Sequence, residues 1–341
     1  MNTLEAPEWL PSFAIPFFTL SYPTDTPAAP DSFPDSNYYN TGALDCCYII
    51  TIIAVFAVLR DVLRIYVLEP FADWKLRRDL RLEHAKTAEL ANGKANGGPR
   101  PKANGNEKRR LRRSVLRFAE QGWSFIYYTV QFAYGSYIHY SLPTSMLDPV
   151  DVWRGYPHIT LAGPVKFYYL TETAFYLHQV LIINAEARRK DHWQMMTHHF
   201  ITVTLMISSY SYNFTRVGCL IMLLMDISDV FLPLAKMFRY LSMSNSCDIT
   251  SGCFMVSWFV TRHALFLLVI KSLYIDSCRF IPRVWDRETG HYMTRGVYIG
   301  FMVMLISLQV IQLMWFWMIL RVAWRVIRGE GAQDERSDSE A

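Results

Sequence analysis

Along the chain, apolar runs near the length a membrane-crossing helix needs, about 20 residues, alternate with short polar or basic connectors. The first run, Leu44 to about Val67, reads LDCCYIITIIAVFAVLRDVLRIYV. Further runs fall at about 122–140, 164–183, 193–212, 216–235, 252–272 and 295–320. This pattern predicts an all-α multispanning membrane protein with seven transmembrane helices. Ahead of the first run, residues 1–42 carry Pro7, Pro11 and Pro16 among aromatic and polar residues. That proline density forbids a long helix, and the absence of a basic leading stretch argues against a cleaved signal peptide.

The connectors set the expected orientation. After the first run comes a polar linker with a Gly/Asn-rich centre, ANGKANGGPRPKANGN, which reads as flexible. It leads into Lys108, Arg109, Arg110, Arg112, Arg113 and Arg117, the strongest positive-inside signal in the chain. Arg188, Arg189 and Lys190 follow the third run, Lys236 and Arg239 the fifth, and Arg321, Arg325 and Arg328 the seventh. All four clusters agree with a luminal N-terminus and a cytosolic C-terminus. Arg279, Arg283, Arg287 and Arg295 run against the trend. The tail GAQDERSDSEA is acidic, with Ser337 and Ser339 in a context suited to acidophilic phosphorylation.

Composition sharpens this picture in one respect. Of 341 residues 52% are hydrophobic and 19% charged, against about 25% charged in soluble domains. The formal charge of +4 follows the topology signals, and no zinc-finger, phosphate-loop or other nucleic-acid pattern accompanies it. The six cysteines show no C-x-x-C pairing, and Cys46, Cys47 and Cys219, in or beside apolar runs, read as small buried hydrophobes.

Candidate chemistry concentrates in residues 192–240. His198 and His199 open the fourth run, and Asp226 and Asp229 lie in the fifth. Ionisable groups in lipid-spanning helices are costly, so they usually face a protein interior and are functional candidates. The two aspartates, three apart, share a helix face, whereas the adjacent histidines point about 100° apart. One histidine is therefore central and the other supportive, with Thr202 one turn beyond His198. Such a set supports a His general base or nucleophile oriented by a carboxylate, a metal site, or a proton relay. It also fits a plain buried His–Asp pair. His178 and His263 are the only other histidines well inside apolar runs. Arg216 reads as an interfacial anchor and Gly218 as a close-packing site. The sequon at Asn213 sits in a turn too tight for ready glycosylation.

W-x-x-x-x-H-H-x-x-T at Trp193–Thr202, R-x-G at 216–218, and M-D-x-x-D at Met225–Asp229 ahead of AKMFRY together resemble the signature of eukaryotic ceramide synthases of the TLC-domain superfamily. The long basic linker and acidic tail resemble the fungal branch. A homeobox-like region, present in some vertebrate members, is not matched. The resemblance implies an endoplasmic reticulum enzyme that acylates a sphingoid-base amine with a fatty acyl-CoA, of very long chain in fungal members. No metal or cofactor is implied beyond acyl-CoA as co-substrate. It implies six helices, runs two to seven, in a bundle or barrel around a lipid cavity open to the cytosol. The domains would then be residues 1–42 (luminal), 43–68 (first transmembrane helix), 69–118 (basic cytosolic linker), 119–328 (catalytic) and 329–341 (disordered tail).

By the same resemblance His198, His199, Asp226 and Asp229 are catalytic. Arg188, Arg189, Lys190, Lys236 and Arg239 would draw the anionic CoA to the cytosolic mouth by charge. Glu172, His178, Trp193, Thr202, Arg216 and His263 complete the candidate substrate-binding set. Chain-length selectivity would lie near loop 273–294, and the partners would be a small single-span accessory subunit and a second copy of the chain. The chemistry expected is attack of His198 on the thioester, followed by attack of the amine on the acyl-imidazole; direct general-base catalysis is the alternative. Readings of another class are a non-catalytic lipid-binding or transport protein of the same fold and a metal-dependent lipid hydroxylase or desaturase. A seven-span receptor fits poorly, given the position of the His/Asp seam.

Overall fold

The computed structural model describes residues 10–30, 32–92, 105–185 and 191–328. Their order is a short α1 (Ile15–Phe18), β1 (Pro23–Thr24), β2 (Tyr38–Tyr39), and α2 (Asp45–Leu63), which passes through a π turn into α3 (Glu69–Asn92). Then come α4 (Gly105–Ser141), β3 (Leu161–Ala162), α5 (Gly163–Ala185), α6 (His192–Ser211) and α7 (Thr215–Tyr240). The chain ends with α8 (Ser244–Phe259), a π turn at Val260–Leu265, α9 (Phe266–Ile275), α10 (Ser277–Phe280) and α11 (Arg295–Ile327). Thr294 starts α11 by accepting the Val297 N–H on its hydroxyl at 3.2 Å. The described residues divide into two compact units, one within Met1–Ala57, Gln131–Ser228 and Met255–Ala341, the other within Val58–Val130 and Asp229–Phe254.

A helix forms over every apolar run, but the expectation of seven membrane-spanning helices is corrected. Among the described residues four helical stretches are long and apolar enough to cross a membrane: Asp45–Thr87, Thr215–Tyr240, Ser244–Phe280 and Arg295–Val326. Nor is a closed six-helix barrel found among them. The reason is composition within α4, α5 and α6. The α5 helix carries Lys166, Thr171, Glu172, Thr173 and His178, all buried. The α6 helix carries His192, Gln194, His198, His199 and a series of Thr and Ser. The C-terminal half of α4 is Tyr-rich, with Gln131 buried. Such helices face protein more than hydrocarbon. The chain is a multi-pass membrane protein with fewer crossings than its helices.

The second unit holds most of the basic linker. Much of that linker is helical, because Ala, Leu, Glu, Lys and Arg dominate it and all favour helix. Pairs one turn apart support α3: Lys75 with Asp79 at 2.6 Å and Arg77 with Asp73 at 2.7 Å. Leu68 and Ala72 pack on Val115, Phe118 and Ala119 of α4, where Gly122 leaves room for the Leu68 side chain. The Gly/Asn-rich centre and the acidic tail, with Ser337 and Ser339, lie outside the described residues.

In the first unit a small antiparallel sheet, β1-β2-β3, lays residues 23–39 against the start of α5. Beneath it Lys166 pairs with Asp45 at 2.7 Å, and neither side chain is more than 3% exposed. The Lys166 ammonium also donates to the carbonyls of Ser21 (2.8 Å) and Asn40 (2.7 Å). Asp45 accepts from Tyr210 (2.8 Å) and the Gly42 N–H (3.0 Å). Charges this deeply buried persist only with such full sets of partners. The pair therefore joins the N-terminal segment, α2, α5 and α6. Close packing elsewhere depends on Gly218, where an added Cβ would lie 2.8 Å from Tyr169 Cε2 and 2.9 Å from Cζ.

Two outcomes are expected. Replacing Asp45 by Asn should destabilise the protein by about 3–5 kcal/mol, since Lys166 is left buried and uncompensated. Asp45→Leu combined with Lys166→Met should recover most of that; an unchanged thermal midpoint in detergent for Asp45→Asn would refute the coupling. Gly218→Ala should cost about 1–3 kcal/mol by overpacking Tyr169. Tyr169→Ala, tested in the Gly218→Ala background, should then add less to the loss than it does alone.

Candidate active site

The first unit contains a narrow cavity of about 80 Å³, smaller than the usual small-molecule site. Its lining is overwhelmingly apolar, and the few polar groups gather at one end. There α6 supplies His198 and Thr202, α7 Met225, the π turn Arg262, and α11 Gln312. Met225 is in contact with both Gln312 and Arg262. Gln312 Nε2 donates to Met225 Sδ at 3.3 Å, and Arg262 Nη2 to the Met225 carbonyl at 3.0 Å. The His198 ring lies 5.1 Å from that of Trp315, and Arg262 is within electrostatic reach of His198.

Arg262 explains much of this geometry. A guanidinium buried to 3% exposure in a membrane-spanning helix needs acceptors. It finds the Met225 carbonyl and, at 2.8 Å from Nε, the Ser228 hydroxyl. Its plane also stacks on Trp258 with 4.2 Å to the ring centroid, a cation–π contact within the same helix. The π turn at Val260–Leu265 adds a residue to the helical turn there, a deviation that recurs at functional sites.

The two histidines separate as their 100° offset requires. His199 is buried beside Tyr176, with ring centroids 5.9 Å apart, and Nδ1 donates to the Met195 carbonyl at 2.9 Å. That bond fixes its tautomer and holds the ring away from the cavity. His198 faces the cavity, and its Nδ1 is shielded from solvent with no hydrogen-bond partner among the described residues. Thr202 Oγ1, one turn along on the same wall, is in the same condition. Buried polar atoms are normally paired. Two open ones a turn apart, in an otherwise greasy cavity, mark where a polar group of a ligand would sit.

The carboxylates fall elsewhere. Asp226 is fully buried on α7, directly after cavity-lining Met225, and lies within electrostatic reach of Tyr168, as does Glu172. Asp229 is half-buried and belongs to the second unit, as do Lys236 and Arg239. His178 is packed against Phe56 and Phe175 on α5. His263 Nδ1 accepts from Gln309 Nε2 at 2.7 Å, with its ring against Phe316. Arg216 reaches the carbonyls of Asp151 and Arg154 at 3.5 and 3.3 Å, in the loop between α4 and α5. Trp193 is 74% exposed, and Arg188, Arg189 and Lys190 lie outside the described residues. Among the described residues no three His, Cys, Asp or Glu side chains cluster as metal ligands.

Opposite the polar end, the cavity is bounded by Trp153, Phe214, Leu273, Met293 and Phe301. Trp153 Nε1 donates to Ser272 Oγ at 2.7 Å, and its ring meets Phe214 at 6.3 Å. Behind it Tyr156 stacks on Phe214 at 4.5 Å. Burial pushes the Tyr156 phenol up to about 12 and the His158 imidazole down to about 4, so both are neutral across physiological pH. Neither Arg262 nor Trp153 was among the residues singled out from sequence. Arg262 had a usable signal, an arginine within an apolar run; Trp153 had none.

Comparison with known proteins agrees with these features. Residues 117–321 match the TLC domain family model. The chain is 33% identical over 330 residues to the sphingosine N-acyltransferase lag1 of Schizosaccharomyces pombe, covering 96% of this chain and 73% of that one. It is 35% identical to the sphingosine N-acyltransferase-like protein ALT7 of Alternaria alternata, over 89% and 69% of the two chains. With the ceramide synthase FUM18 of Gibberella moniliformis it shares 32% over 90% and 70%. A multi-pass helical protein that carries its paired histidines and spaced aspartates within the matched region, and aligns over most of its length with these enzymes, belongs to the ceramide synthase family of TLC-domain proteins.

Proposed function

We propose that this chain is a sphingoid-base N-acyltransferase, which moves a fatty acyl group from acyl-CoA to the base's amine and releases ceramide and CoA. The observation that carries the site assignment is His198, its buried Nδ1 unpartnered among the described residues at the polar end of a long apolar cavity. A fatty thioester has the matching form, a reactive carbonyl on an apolar tail.

In the reaction, the imidazole of His198 attacks the thioester carbonyl, the C–S bond breaks and CoA leaves as thiolate. Charge that builds on the carbonyl oxygen is stabilised by the Arg262 guanidinium, already fixed by Met225, Ser228 and Trp258. The neutral amine then attacks the acyl-imidazole, forming the amide and restoring His198. The ammonium must lose its proton before it enters the cavity, because no carboxylate lines it among the described residues. Thr202 is placed one turn from His198 to hydrogen-bond the reacting group. His199, held by the Met195 carbonyl, keeps the start of α6 in register.

The site of action is the endoplasmic reticulum membrane. By the positive-inside rule residues 108–117 lie in the cytosol and the N-terminal segment, across α2, in the lumen. An accessory single-span subunit and pairing of two copies belong to the same proposal.

The activity test uses purified protein, a sphingoid base and an acyl-CoA series, with product and intact protein weighed by mass spectrometry. Wild type should yield ceramide; His198→Ala should lower kcat/KM about a thousandfold or more. Wild type held without base should carry one acyl adduct that His198→Ala lacks. Thr202→Val should cost about tenfold. Full activity in His198→Ala would refute the assignment. For sidedness, of two glycosylation sites engineered singly, one in the N-terminal segment and one beside residues 108–117, only the first should be modified in microsomes; modification of the second would refute it.

A further inference from the structure

The length of the cavity limits its acyl substrate. We infer that the acyl group this site accepts is about fourteen to sixteen carbons long, with Trp153 as its stop. The inference rests on the acyl-transfer reading above and adds to it the class of donor.

The polar and far ends are defined by contacts that agree. His198, Met225, Arg262 and Gln312 meet at one, and Ser209, Phe214, Leu273 and Phe301 lie at the other. The four helical walls therefore run 198–209, 214–225, 262–273 and 301–312, each eleven steps. At 1.5 Å per residue the cavity is about 16 Å long. An extended hydrocarbon with C–C bonds near 1.5 Å advances about 1.25 Å per methylene, so about thirteen bonds fit between the His198 level and the far wall. A very long chain, as the fungal resemblance implied, would overrun that wall by about 12 Å.

The wall is not built to swing. Trp153 is 3% exposed and bonded to Ser272, whose hydroxyl also reaches the Pro149 carbonyl at 3.4 Å. Arg216 holds the carbonyls on either side of it, from Asp151 and Arg154. Tyr156, three residues on, donates to the Tyr212 carbonyl and accepts the Tyr292 N–H, both at 3.0 Å. Val152, Tyr156 and Ile281 pack with Trp153 in one buried core cluster. The determinant is thus the loop between α4 and α5, together with the 281–293 loop that supplies Met293. Residues this far apart in sequence form one surface.

Non-hydrolysable thioether acyl-CoAs, ten to about twenty-six carbons, supply the test, with affinities measured on purified protein in detergent. Affinity should rise about fourfold per methylene up to fourteen to sixteen carbons and then stay flat. Trp153→Ala should move the plateau several carbons longer. Leu305→Phe, halfway along the α11 wall, should move it shorter, which keeps the test open should Trp153→Ala not fold. Ceramides formed from an equimolar mixture of natural acyl-CoAs should follow the same shifts. Affinity that keeps rising to the longest chain in wild type would overturn the inference. So would plateaus unmoved by both substitutions. A plateau at the expected length without ceramide from any donor would uphold the length limit and overturn the acyl-transfer reading instead.

Discussion

The arrangement depends on one buried cation. A guanidinium in the apolar interior of a membrane protein is tolerable only with acceptors at hand. Arg262 finds them on the neighbouring α7, at Met225 and Ser228, and on the face of Trp258 in its own helix. These contacts lock the rotation of α7 about its axis. Met225 is thereby turned into the cavity and Asp226, 100° away, out of it. The same contacts leave a positive charge near His198, where a thioester's carbonyl would gain negative charge. On the proposed mechanism, stability and chemistry draw on one set of contacts.

The contrast with the two histidines is instructive. His199 has its hydrogen bond, a fixed tautomer and an aromatic neighbour, and is a finished piece of structure. His198 has an aromatic neighbour but an open nitrogen. An incomplete set of partners in an otherwise completed interior is what a substrate would complete, and Thr202 repeats the pattern one turn further on. Beyond them the lining offers hydrocarbon contact, so selection along the tail rests on length and shape.

At the other end, rigidity comes from loops and the N-terminal segment fastened to the helices. The small sheet and the Lys166–Asp45 pair fasten the N-terminal segment to α5 and α6. The loop bearing Trp153 is fastened to α7 and α9 by Arg216 and Ser272. A fixed wall is what a length limit needs.

Much of this was legible in the chain. Helices lie over all the apolar runs because helix formation and hydrophobic periodicity are local properties. The HH and DxxD spacings, which identified the family, are local too. So is the separation of His198 from His199, since adjacent residues on a helix cannot share a face. The number of crossings was misread, because length and moderate apolarity do not say whether a helix meets lipid or other helices; Glu172, Lys166 and the polar side of α6 decided that only once they were seen buried against protein. Which histidine faces the cavity, and that Asp226 turns away from it, depend on helix rotation set by side-chain packing between helices. The reach of Arg262 to α7 and the stop at Trp153 join residues dozens of positions apart. Contacts of that kind exist only after the chain has folded.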